Sequence, residues 1–414
     1  MKYYACLQVY SWEQRKFGNL FSFLQNNTLS RSALDNENGR IQTVHYGDVL
    51  IKFGECLEVT KEILPFIRDD SIAEKYKDSF LQNGDIIIAD TAEDETVGKC
   101  TEIVNLSNQK IIAGLHTMPV RSNENFAAGY LGFYLNSDSF HNQLKPLMQG
   151  TKVTSISKRA IQDTVVKYPL ALEEQQEIGK YFWNLDNLIT LHQRKHDKLI
   201  SFKKAMLEKM FPKENEKVPE IRFQGFTDDW EQRKLSNLVD FSKGSGYSKN
   251  DLVESGTPII LYGRLYTRYE TRISNVDTFV NALDNSVYSE GGEVIVPASG
   301  ETAEDISRAS VVGEKGIILG GDLNILMPRK EIDSVFLALT LSHGKQQREI
   351  SKVAQGKTIV HIHNDDLRKV DLLYPANEIE QKKIGQYFLN LDNLITLHQR
   401  KHSIVNFYYF RRRK

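Results

Sequence analysis

Two histidines stand four residues apart in HQRKH, at His192 and His196. On a helix that spacing puts both imidazoles on one face, where zinc could use them. The protease form HExxH needs glutamate directly after the first histidine; Gln193 stands there, and no third ligand is evident. The pair reads better as a solvated or partner-facing strip, so no metal site is expected. Carboxylates crowd TAEDET (Thr91–Thr96) and GETAEDIS (Gly300–Ser307). A nuclease would use them to hold metal ions, but the spacing is loose and suits turns and caps. Gly356-Lys357-Thr358 could end a phosphate loop, yet Ser351 occupies the place of its first glycine. Gly244 and Gly246 form an isolated loop pair, better read as a turn. No Pro-Pro dipeptide occurs, so the Asn/Asp-Pro-Pro-aromatic signature of amino-methyltransferases is absent. The stretch GRLYTRYETR offers binding chemistry instead. Its Arg264, Arg268 and Arg272 alternate with Tyr266 and Tyr269, a pattern suited to phosphates and base edges. The net charge of −1 argues against a protein that coats DNA nonspecifically and leaves room for local patches.

The elements that must position these residues come in two copies. HQRKH belongs to LDNLITLHQRKH, which occupies Leu185–His196 and recurs letter for letter at Leu391–His402. WEQRK recurs at Trp12–Lys16 and Trp230–Lys234, and GDIIIADTAE from Gly84 faces GEVIVPASGE from Gly292. Gly150–Pro169 matches Gly356–Pro375 in spacing and character, and Glu173–His196 matches Ile379–His402 closely. Such a period is too long for a solenoid and means two homologous halves in tandem. Each half runs from a WEQRK entry through a β-containing body to a helical tail. The tails agree almost perfectly; the bodies agree only at scattered points.

Asp85–Ala89, Glu293–Val296 and Ile317–Leu319 are short apolar runs bounded by glycine, hence strands. Ser334–Ile350 reads as a helix. The tails read as long helices from Glu173 to about Phe211 and from Glu378 onward. Ile178, Leu185, Leu199 and Met206 share one heptad position and Tyr181, Leu188 and Phe202 another, with His192 and Lys195 interrupting the seam. A continuous helix of about 38 residues would reach roughly 55 Å. The fold expected is α+β: two tandem α/β domains, each followed by a long helix. The helices should pair as an antiparallel coiled coil with pseudo-two-fold symmetry; independent packing of each helix on its own body is the alternative. Expected boundaries are 1–172, 173–218 (helix and linker), 219–377 and 378–414. No apolar run is long enough to span a membrane, and three cysteines without CxxC spacing suit a reducing compartment. A cytoplasmic protein is expected. Identical exposed helices suit two copies of one partner. Divergent bodies suit two different ligands or two unlike halves of one ligand, and for an extended two-headed molecule bipartite DNA is the natural object.

The WEQRK entry, IADTAEDETVGK, AGLHT, SGETAEDIS, GGDLNIL and the EQ…IG..F..LD.LI tails together resemble the specificity subunit of type I restriction–modification enzymes. The resemblance covers nearly the whole chain, in order, twice. It implies a noncatalytic DNA-recognition subunit in which each domain reads half of a split site. The helices would set the spacer and dock two modification subunits that methylate adenine N6. It implies that S-adenosylmethionine, ATP and Mg belong to partner chains, and that two restriction subunits join the complex, with no membrane involved. The chain departs from its own repeat after His402, where SIVNFYYFRRRK replaces DKLISFKKAMLEKMF. A self-contained methyltransferase or nuclease, and a coiled-coil scaffold without DNA binding, are the competing readings.

Candidate DNA-reading residues follow from side-chain type and repeat position. In the first body they are Tyr46, Lys52, Asp90, Thr91, Lys99, His116, Thr117, Lys152, Thr154, Lys158 and Arg159. In the second they are Lys243, Tyr247, Ser248, Lys249, Tyr262, Arg264, Tyr266, Arg268, Arg272, Ser299, Glu301, Thr302, Lys357, Thr358, His361 and His363. The partner-facing strip comprises Asn187, His192, Arg194 and His196 with Asn393, His398, Arg400 and His402; lining the intramolecular coil is their alternative role. No catalytic residue is expected.

Overall fold

Alternation of side chains decides the centre of each body. In the strand Ile86–Ala89, Ile86 and Ile88 enter one apolar cluster while Ile87 and Ala89 enter another. In Val294–Pro297, Val294 and Val296 likewise face one core and Ile295 a second. A strand buried on both faces must be apolar throughout, and both runs are. The computed structural model describes residues 12–354 and 359–413; Lys357 and Thr358 lie outside them. The described chain divides into two compact units, one of residues before His192 and after Lys401, the other His192–Lys401.

The two units repeat one topology. In the first, a five-stranded sheet runs Phe21–Phe23, Thr117–Ser122, Ile86–Ala89, Cys100–Val104, Cys56–Glu58. In the second the order is Val239–Lys243, Leu323–Pro328, Val294–Pro297, Ser310–Val312, Arg272–Ile273. Each sheet is antiparallel except for its last pair, which is parallel. Each unit adds a four-stranded sheet, through Ile41–Val44 in one and Thr257–Ile260 in the other. WEQRK owes its repetition to a shared job: Trp12–Lys16 pairs antiparallel with Val165–Pro169, and Glu231–Lys234 with Asp371–Tyr374. The start of each body is thereby fastened to its end.

A long helix follows each body, Leu172–Lys209 and Glu378–Arg413, as the uninterrupted tails predict. The fold is α+β. Repeat-equivalent glutamines clasp the helix starts to the bodies. Buried Gln175 donates to the Pro169 carbonyl at 2.8 Å and accepts from the Ala127 amide at 2.9 Å. Buried Gln381 donates to the carbonyls of Pro375 and Glu331 at 2.9 and 3.0 Å and accepts from the Asp333 amide at 2.7 Å. A Cβ on Gly179 would lie 3.2 Å from the Tyr130 amide nitrogen, and one on Gly385 3.2 Å from Val335. Glycine there lets each helix lie close against its body.

Two expectations need correction. Ser334–Ile350 is two helices, Ser334–Ser342 and Gly344–Val353. His343 is extended and Gly344 has φ +69°, a left-handed value glycine tolerates. The seam of Tyr181, Leu188 and Phe202 is exposed by 41–48%. Leu199 and Met206 pack instead, with Leu207, Met210 and Phe211 buried beside Phe336 and Phe388. Within the second unit the helices run antiparallel: His192 meets His398, Lys203 meets Asp392, and Phe211 lies 6.2 Å from Phe388.

Candidate nucleic-acid interface

The central strand of the first unit ends at Ala89 and delivers Asp90 and Thr91 to its rim. The Asp90 amide donates to the His116 carbonyl at 3.1 Å, and the Ile156 amide donates to the Asp90 carbonyl at 2.9 Å. Thr91–Ala92 pairs with Thr154–Ser155. The Thr91 hydroxyl donates to Asp90 Oδ1 at 2.8 Å; His116 Nδ1 lies 3.4 Å from that oxygen and 3.5 Å from Thr91 Oγ1. The Tyr46 ring meets His116 edge-on at 5.3 Å. Tyr46, Asp90, Thr91, His116 and Thr154 thus come together at one strand end. His116 has φ +55°, strained backbone for a non-glycine residue.

The other first-unit candidates are placed differently. Thr117 is buried and donates to the Gly114 carbonyl, a structural role. Lys99 reaches the Leu50 carbonyl at 2.9 Å, and Lys52 reaches that of Ile63 at 2.7 Å while lying over the Phe53 ring. Lys152 is exposed. Lys158 and Arg159 are exposed on the helix Lys158–Gln162, with Lys158 over the Phe23 ring.

The second unit builds a cluster at the matching place. Ser299–Gly300 pairs with Val360–His361, as Thr91–Ala92 does with Thr154–Ser155. Ser299 Oγ lies 3.1 Å from His361 Nδ1, and the Tyr266 hydroxyl donates to the Ser299 carbonyl. Burial pushes the Tyr266 phenol well up, so it stays a donor. Tyr262 packs on Tyr266 with 5.9 Å between ring centres and is 38% exposed. Tyr262 follows its strand as Tyr46 follows Ile41–Val44.

The arginines do not converge on this cluster. Arg264 is 9% exposed, donating to Asp277 at 2.7 Å, Glu270 at 2.9 Å and the Asn275 carbonyl at 2.8 Å. Its guanidinium organises the loop rather than facing solvent. Arg268 shares Asp277, and Arg272 sits on the edge strand. In the glycine loop, Tyr247 is bonded to Ser286 and to the Leu283 amide, and Ser248 caps a short helix with Asp251. Lys243 and Lys249 are exposed. A Cβ on Gly244 would fall 1.9 Å from the Gly320 carbonyl, which explains that glycine by backbone packing. Thr302 donates to Asp305, Glu301 is exposed, and His363 caps Asn364–Leu367.

On the helices, His192 and His398 approach to 3.0 Å between their Nδ1 atoms, so this repeated pair lines the intramolecular contact. Burial, then Lys195, Lys401 and His196, hold the His398 pKa below its ordinary value. His196 is 18% exposed beside Asp197. Asn187, Arg194, Asn393 and Arg400 are exposed and His402 half-buried. The duplicated string also carries a repeated exposed apolar set, of which the sequence reading used only Leu188, as a coil position. Leu188 and Leu394 are each 43% exposed, Leu191 and Leu397 45% and 44%. The signal was present, since all four lie inside the duplicated string. Among the described residues no group of three or more His, Cys, Asp or Glu could hold a metal ion, and no helix is long and apolar enough to cross a membrane.

Sequence and fold comparisons agree with this duplication. The family model for the type I restriction modification DNA specificity domain matches residues 10–200 and again 227–406. The chain is 25% identical over 270 residues to the type I restriction enzyme MjaVIII specificity subunit of Methanocaldococcus jannaschii. That match spans 62% of each protein, less than two thirds of the relative's length. The putative MjaX specificity subunit of the same organism is 24% identical over 412 residues, 94% of this chain and 89% of the relative. The crystal structure of a type I restriction–modification S subunit from M. genitalium shares the fold, with a TM-score of 0.53 at 15% identity over 97% of this chain and 95% of that one. Carrying the domain twice across most of its length, the chain belongs to the type I restriction modification DNA specificity family.

Proposed function

We propose that the chain is the noncatalytic DNA-recognition subunit of a type I restriction–modification complex, each unit reading one half of a bipartite site. One observation carries this: the same strand-end position is built twice on one topology but furnished differently. It holds Tyr46, Asp90, Thr91 and His116 in one unit and Tyr262, Tyr266, Ser299 and His361 in the other. Like scaffolds with unlike side chains suit two different short sequences. The remaining exposed candidates, such as Lys152, Arg159, Lys243 and Lys249, suit phosphate contacts around those clusters.

The duplicated helix string would serve two identical partners, the modification subunits, through the exposed leucines of each copy. The helices would set the spacer. S-adenosylmethionine, ATP and Mg would be held by the modification and restriction subunits. The test is to map N6-methyladenine in a host with and without this gene. A bipartite motif whose methylation disappears on deletion is expected. Unchanged methylation, together with no DNA binding by the purified complex, would refute the reading.

A further inference from the structure

The strand-end cluster of the first unit has a carboxylate at a position where its counterpart carries alanine. Asp90 follows Ile86–Ala89, whereas Ala298 holds the matching place in GEVIVPASGE. Asp90 is 27% exposed, and its contacts with Thr91 and His116 both fall on Oδ1. Among the described residues no hydrogen bond occupies Oδ2.

Beside it, His116 is held in left-handed backbone at φ +55°, with a ring 48% exposed. Asp322 takes the matching place in the second unit without a positive φ. Strain of this kind persists where the surrounding structure imposes it, and it gathers at binding sites. Here the imidazole lies against the same Asp90 oxygen that Thr91 engages, on a carboxylate that is partly exposed.

A carboxylate is a poor group for a surface that meets phosphates, because like charges repel. It is a good group for a base edge, since cytosine N4 and adenine N6 carry amino donors in the major groove. We propose that Asp90 is a specificity-determining residue that accepts a hydrogen bond from the exocyclic amino group of one base in the half-site read by the first unit. Thr91 and His116 position its carboxylate. The second unit has Ala298 at this position and places Asp322 where the first has His116, so its half-site is read by different chemistry. The inference rests on the DNA-recognition reading above.

The test uses the full chain assembled with its modification subunits. Duplexes carrying each base at every half-site position are titrated against wild type, Asp90→Asn and Asp90→Glu, with thermal unfolding of each assembly as a control on folding. For Asp90→Asn, discrimination at one base pair of one half-site should fall roughly 10-fold or more. Nonspecific affinity should rise as a negative charge leaves the surface, and the other half-site should be unchanged. Asp90→Glu keeps the charge and alters the reach: it should lose discrimination at the same pair while nonspecific affinity stays at the wild-type level. The base preferred by wild type there tells a cytosine amino group from an adenine one. Wild-type discrimination retained at every position by both variants overturns the inference. So does loss of discrimination spread evenly over both half-sites. A wild-type assembly that ignores bipartite duplexes overturns instead the reading on which it rests.

Discussion

His343 stands at the break between two helices, and burial with Lys203 nearby lowers its pKa to about 4. The unfolded chain titrates near 6.5, so between these values it binds more protons than the folded one. Stability is fully present above pH 6.5 and falls as pH drops toward 4. The loss should be on the order of 2–3 kcal/mol. Denaturant unfolding of wild type and His343→Gln across that window checks this; the variant should show a flatter profile. Arg264 invites a second experiment. Because its guanidinium bonds Asp277, Glu270 and the Asn275 carbonyl, Arg264→Lys removes the fork and should cost about 1–2 kcal/mol. A melting temperature equal to wild type would show that the network carries no stability. Sequence could mark Arg264 as a cation in a basic stretch. It could not show that Asp277 and Glu270 would consume that charge, because pairing depends on where the loop folds back.

At the scale of elements, the two glutamine clasps matter most. Gln381 serves three backbone groups of the second unit and is fully buried. Truncating it leaves those groups without partners, so Gln381→Ala should destabilise by about 2–3 kcal/mol. Gln175→Ala leaves two groups unpaired and should cost less. Equilibrium unfolding of the two variants ranks them, and the reverse order would contradict this account. The elements themselves were largely legible. Central strands, long tails and the pairing of like blocks all follow from apolar runs and repetition. The break at His343 was not, since GKQQREI continues a helical pattern and only the left-handed Gly344 redirects it. Nor was the packed face of the tails. Two heptad seams were open on paper, and the one with Leu199 and Met206 found a core to enter.

For the whole molecule, duplication predicts stoichiometry. If each copy of the leucine set docks one modification subunit, Leu191→Lys should leave a complex with one such subunit, and so should Leu397→Lys. The double variant should retain none. Native mass spectrometry of the reconstituted complex reads this directly, and two subunits on the double variant would rule out these leucines as the docking surface. DNA binding by the isolated variant chains should be unaltered, which separates docking from recognition.

The sequence by itself determined that there are two halves, that each is a body followed by a long helix, and which family they join. Those properties rest on repetition and on local patterns of apolar residues, which are written residue by residue. Tertiary structure alone decided which side chains share a site. Tyr46, Asp90 and His116 lie on three separate segments and converge because the strand Ile86–Ala89, buried on both faces, fixes where its neighbours end. The same folding removed Thr117 to the interior, tied Arg264 into its own loop and turned His192 toward His398. Such outcomes depend on contacts between residues far apart in the chain, and no local pattern encodes them.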